Sequence, residues 1–350
     1  MLLSGLALVA LAADVSAQPE RQKVSKPRPA PDALPPEVPP LPPAVIDNGL
    51  AVGGQDVKAK KVETRLTVDV QVNGQGPYRF IVDSGADTSV VGLGIAQELK
   101  LPVGRPVVLN GMTSRDIVDR VKVDQLTVGP TTVSNLEVPA LRESDVGGDG
   151  IIGIDALVSK RLMLDFEKRL IKIEDAGVRY IPQPGEIVVT ARRERGQLIL
   201  THVRAAGLSL DAVIDTGTEI TIGNLALRDK LIRGNRDKFV TIPVVGVTGV
   251  TANLQFARIA ELQLGPVVIS DVPMAFADVP PFKLFGLADQ PALLLGTDLL
   301  ESFRRISLDF KARKVRFQLR KCKPEGVIIS TDPNNFSRLS STGHQDVCGR

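Results

Sequence analysis

The chain has no Trp, two Tyr, two His and two Cys in 350 residues. Each scarcity excludes something. With Tyr78 and Tyr180 as the only large polar aromatics, a surface that stacks nucleic-acid bases lacks its platforms. Charge points the same way: 43 Lys and Arg against 40 Asp and Glu leave a net of +3, with both signs spread along the chain, so no basic field would track phosphates. Nucleic acid is not an expected partner. His202 and His344 stand far apart and away from any Cys pair, too few ligands for zinc. No metal and no cofactor is expected, and the core is expected to be aliphatic.

Long apolar runs are also missing, with one exception at the start. Residues 1–17 end in Val15-Ser16-Ala17 after an apolar stretch, the small-residue pattern a signal peptidase needs, so export to the periplasm or beyond is expected. An uncleaved anchor and a misassigned start codon are the other readings. Residues 18–45 are dense in Pro, which cannot donate to strand ladders, so they are expected to form an extended spacer. Cys322 and Cys348 both fall in the tail, 321–350. In an oxidising compartment they are expected to pair, which would contribute about 3 kcal/mol in the chain-entropy model; two free thiols are the alternative.

What the chain does have is a repeat. Residues 80–92 read "FIVDSGADTSVVG" and residues 213–223 read "VIDTGTEITIG": apolar residues, Asp, Ser or Thr, Gly, a short polar step, apolar residues again. Around them the order repeats. "LTVGP" (126–130) returns as "LQLGP" (262–266), "GIIGID" (150–155) as "LLLGTD" (293–298), and "LDFEKRLIKIE" (164–174) as "LDFKARKVRFQ" (308–318). The offset grows smoothly, from 132 residues between Asp83 and Asp215 to 144 between Asp165 and Asp309, as loop insertions in the second copy would make it. This is a duplicated domain.

Each copy reads as mostly strand. "RLTVDVQV" (65–72) and "GQLILTHV" (196–203) alternate with period 2, and Gly, Asn and Pro punctuate at short intervals. Short helices are expected at "DALVSKRL" and "DLLESFRR", each opened by an Asp suited to a helix start, Asp155 and Asp298. Two small β-barrels are inferred, 46–176 and 197–320, joined by a linker at 177–196. "GDGIIG" at 148–153 fits the dinucleotide fingerprint, but its counterpart "PALLLG" drops the glycines, and the strand-turn-helix context is missing.

The doubled pattern, apolar-apolar-Asp-Ser/Thr-Gly followed by apolar-apolar-Gly and a short helix, resembles the retropepsin-like aspartic peptidases. Viral-type members assemble two identical chains around one site, whereas pepsin-type enzymes carry both lobes in one polypeptide. This chain resembles a single-chain, duplicated member over about residues 62–320. The resemblance implies an all-β fold of two homologous lobes with the active site between them, and a hydrolase acting on peptide bonds of exported or envelope proteins. A catalytically silent peptide-binding scaffold with the same fold is the alternative.

Asp83 and Asp215 are the implied catalytic pair, sharing one proton because adjacent carboxylates cannot both ionise cheaply. Gly85 and Gly217 suit tight turns, and Ser84 and Thr216 would lock the two turns together by analogy. Thr218 stands where the first copy has Ala86; its hydroxyl would donate to Asp215 and favour the charged form, so Asp215 is expected to be the more readily ionised. Asp87 and Glu219 occupy the places where viral-type enzymes grip substrate backbone. Gly111 in "LNGMTS" and Gly246 in "VVGVTGVT" mark candidate flaps over an extended peptide. The viral-type Arg after apolar-apolar-Gly is replaced by Ile154 and Thr297, so the family's supporting ion pairs are not assumed. With both turns in one chain, a monomer is expected.

Overall fold

The computed structural model describes residues 23–31, 45–46, 55–62, 65–129, 131–157, 160–177, 180–181, 185–231 and 239–320. The apolar leader, Cys322 and Cys348, and the Pro-rich stretch apart from 23–31 and 45 lie outside those residues.

Period-2 patterning becomes two-faced strands. In Arg65–Val72, Val68, Val70 and Val72 are buried while Asp69 and Gln71 are exposed. Burying one such side chain contributes about 1.5–3 kcal/mol, and a one-residue slip would forfeit the whole face. That strand pairs antiparallel with Gln75–Val82 across Asn73-Gly74, both at positive φ (49° and 76°). Gln197–Ala205 pairs with Leu208–Ile214 across Ala206-Gly207 in the same way (φ 45° and 83°). Positive φ at both central residues matches the turn to the twist of the strands.

A third strand in each copy creates the loop that matters. Gly150–Ile152 lies parallel to Gln75–Val82, with Ile152 beside Val82, and antiparallel to Val90–Gly92. Ala292–Leu295 relates identically to Leu208–Ile214 and Ile222–Gly223. The chain leaving Val82 or Ile214 must therefore cross the end of this third strand. Residues 83–89 and 215–221 make that crossing, each pinned at its first amide: Asp83 N–H donates to Ile152 O (2.9 Å) and Asp215 N–H to Leu295 O (3.1 Å).

The two β-barrel lobes meet in an antiparallel sheet whose strand order is Gln55–Val62, Leu170–Asp175, Lys160–Asp165, Phe303–Asp309, Lys314–Leu319, Glu186–Glu194. Met163 opposite Ser307 marks its centre. About that point the charges repeat by a twofold relation: Arg161 Nε meets Asp309 at 3.1 Å, and Arg305 Nε meets Asp165 at 2.6 Å. The core is aliphatic as expected, apart from fully buried Phe residues, of which Phe276, Phe282, Phe303, Phe310 and Phe317 lie in the second lobe.

Three expectations about connections and helices are corrected. The segment 177–196, expected as a linker, contains the strand Glu186–Glu194, in which Val189 and Ala191 are buried while Val188, Thr190 and Arg192 are exposed. Its charges sit on the open face, which hid the alternation. Within the Pro-rich spacer, Arg28–Pro29 pairs antiparallel with Arg115–Val118. Pro is tolerated there because the strand is an edge, and Ala30 N–H supplies the bond to Arg115 O (3.0 Å). The helices shrink to single turns, Ile154–Leu157 and Thr297–Leu300, since strands begin again at Lys160 and Phe303.

Candidate active site

Asp-Ser-Gly and Asp-Thr-Gly meet face to face. Ser84 and Thr216 take part in four hydrogen bonds across the lobe boundary, two with each other, Ser84 N–H to Thr216 Oγ1 (2.9 Å) and Thr216 N–H to Ser84 Oγ (3.2 Å), and two with the opposite backbone, Ser84 Oγ to Ile214 O (2.9 Å) and Thr216 Oγ1 to Val82 O (2.7 Å). Both residues are buried, so these bonds are shielded from water and fix the two loops as one unit.

Each Asp is held by its own loop. Asp83 Oδ1 accepts from the N–H of Gly85 (2.7 Å) and Ala86 (3.0 Å); Asp215 Oδ1 accepts from Gly217 (3.0 Å) and Thr218 (3.1 Å). Each carboxyl lies against the glycine of the other lobe's loop. Glycine makes the approach possible: a Cβ at Gly85 would lie 2.5 Å from Asp215 Cγ, and one at Gly217 would collide with the Asp83 carboxyl.

Burial raises both carboxyls above the ordinary range. Asp215 is pushed up to about 8 by burial and by the Asp83 charge, only partly offset by its two N–H donors. Asp83 is raised by burial too, but the N–H groups of Gly85 and Ala86, the Asp215 carboxyl and the Arg65 charge pull it back. The expectation for Thr218 is therefore corrected. Its hydroxyl donates to Ile220 O (3.3 Å), not to Asp215, because its backbone N–H already fills that place, as the Ala86 N–H does in the first copy.

Asp87 and Glu219 line the cavity and are each tied to the opposite lobe. Gln197 Nε2 donates to Asp87 and to Gly85 O, while Arg65 Nε meets Glu219 at 2.9 Å. Arg65 and Gln197 carried no motif and were missed. They stand at equivalent points, 132 residues apart, and that spacing was the available signal. Asp155 and Asp298 were read as helix starters, yet they brace the crossing loops. Asp155 accepts from Ser89 N–H (2.9 Å) and Ser89 Oγ (2.7 Å), and Asp298 from Thr221 N–H (3.0 Å) and Thr221 Oγ1 (2.7 Å).

Two hairpins close over the pair. Gly111 and Gly246 sit at their tips, with Gly111 N–H bonded to Ser114 O (3.0 Å) and Gly246 N–H to Val250 O (3.0 Å). The tips touch: Ser114 and Thr248 hydroxyls are 2.8 Å apart, and Thr113 packs where a side chain at Gly246 would be. Met112 reaches the apolar cluster of the second lobe and Val247 that of the first. Beneath them is a cavity of about 460 Å³ with Asp83 and Asp215 in its wall.

Two lobes related by a twofold, each presenting one carboxyl to a common cavity under paired flaps, define a retropepsin-like aspartic protease fold. The aspartyl protease family model matches residues 68–156 and again 201–299, one match per lobe with one aspartate in each. The chain belongs to the aspartyl protease family. No curated protein matches it.

Proposed function

We propose that this chain is an aspartic endopeptidase whose dyad is Asp83 and Asp215. The observation that carries the reading is reciprocal: each carboxyl occupies the space left by the other lobe's glycine, so the two share one buried site. With one proton between them, the ionised carboxyl takes a proton from a water held between the two while the protonated one donates to the scissile carbonyl. A tetrahedral intermediate forms without a covalent enzyme adduct. Its collapse breaks the C–N bond as the proton passes to the leaving amine.

The substrate is an extended peptide under the flaps, its backbone met as an added strand, with Asp87 and Glu219 at either end of its path. The flap tips must part for it to enter, and closing again excludes water. Read as an export signal, the apolar leader supports exported or envelope proteins as the substrates, and the two lobes in one chain suit a monomer.

The test is cleavage of a diverse peptide pool by the chain from residue 18 onward, beside Asp83→Ala and Asp215→Ala. Loss of the same cuts in both variants is expected. Cuts that survive in either would assign the activity elsewhere, and a wild type that binds but never cuts would leave a peptide-binding scaffold.

A further inference from the structure

The two halves of the site differ in charge beside the strands that lead into the aspartates. Along the first hairpin Thr67 stands opposite Ile81, with Arg65 two residues before the one and Asp83 two residues after the other. Along the second, Ile199 stands opposite Val213, with Gln197 two residues before the one and Asp215 two residues after the other. So the aspartate of one lobe has a cation beside its strand end, and the other has a neutral amide. Both side chains are buried, where charge is poorly screened.

We infer that Arg65 is the positioning residue that breaks the symmetry of the dyad, holding Asp83 as the ionised partner and leaving the shared proton on Asp215. The surrounding groups agree. Asp83 faces the Asp215 carboxyl, the N–H groups of Gly85 and Ala86, and the Arg65 charge; Asp215 faces the Asp83 carboxyl and the N–H groups of Gly217 and Thr218, while Gln197 turns its amide to Asp87 and Gly85 O. Arg65 is itself met by Glu219 and by Val146 O (3.2 Å), so its ion pair is a dipole with the positive end on the strand paired to the one that runs into Asp83 and the negative end on the loop of Asp215. Gln197 brings no charge to Asp87, whose nearby cation is Arg195. The N–H donors are equal in number on the two sides and slightly shorter at Asp83 (2.7 and 3.0 Å against 3.0 and 3.1 Å), so they lean the same way but bring no full charge. Arg65 does.

In mechanistic terms Asp83 is then the base that receives the proton of water and Asp215 the acid that protonates the carbonyl oxygen. This rests on the dyad proposed above, but its test reads titration and not cleavage, so either can fail alone. Carboxyl-carbon NMR of Asp-labelled protein follows Asp83 in Asp215→Asn and Asp215 in Asp83→Asn. Asp83 is expected to titrate at lower pH than Asp215. Arg65→Gln should close that gap and Arg65→Lys should keep it. Should Arg65→Gln fail to fold, Gln197→Arg in the Asp83→Asn background decides: a downward shift of Asp215 supports the assignment, and no shift overturns it. A reversed order, or a gap that Arg65→Gln leaves untouched, overturns it as well.

Discussion

The Asp83 carboxyl lies where a side chain at Gly217 would have to stand. Gly217→Ala should therefore displace the opposite aspartate before it disturbs its own turn. Overpacking of this kind costs about 1–3 kcal/mol of stability, while peptide cleavage should fall about 10²–10⁴-fold, the worth of a positioned acid or base. Thermal unfolding and kcat/KM measured together check it. A variant that stays active would mean the carboxyls need not approach so closely.

Cleavage needs one proton in the pair, so its pH dependence should be bell-shaped. The alkaline limb falls near pH 8, where Asp215 loses its proton; the acid limb lies above the usual carboxylate range, where Asp83 gains one. Stability carries the same sign. Both carboxyls titrate higher folded than unfolded, so their contribution is fully present in acid and is lost as pH rises through about 8. Asp215→Asn should raise Tm at about pH 8 and change it little at about pH 3. A lowered Tm at the higher pH contradicts this.

Asp298 is half-buried, and desolvation raises its carboxyl to about 6 despite the Thr221 donors it accepts. Asp298→Ala leaves the Thr221 N–H and hydroxyl without that acceptor, at a cost of about 1–3 kcal/mol. Denaturant unfolding measures the loss. Because Thr221 lies on the crossing loop of the second lobe, activity should fall more than the unfolded fraction accounts for.

The arm at 23–31 makes the first flap a three-stranded sheet, whereas no described residue plays that part on the second. Ala30→Pro removes the N–H that bonds Arg115 O. Hydrogen exchange at Ile117 and Val118 should then quicken, while exchange at Val244 stays as it was. Equal change on both flaps would show that the arm does not act locally.

Much of this architecture was legible in the residues. Duplication survives in order and spacing, and the Asp-Ser/Thr-Gly turns are constrained by backbone geometry, which leaves a signature in type. Arg65 and Gln197 left none, since what gives them meaning is a partner in the other lobe. Thr218 misled because a hydroxyl rotates to whichever acceptor is free, and sequence does not say that Ile220 O is free. Glu186–Glu194 was hidden by charges on its open face, and the arm strand by a proline content that reads as spacer until an exposed edge is found for it.

At the centre of the interlobe sheet, Arg161 binds Asp309 and Arg305 binds Asp165. Each half thus carries both members of the bond and presents a surface complementary to itself, the defining property of an isologous interface. Joining the halves in one polypeptide removes concentration from that association, since each meets its partner at the effective concentration set by the chain between them. It also removes the demand for identity. Two free copies of one lobe must show each other the same residue at every position, but a tethered pair can specialise, as Arg65 on one side and Gln197 on the other have done.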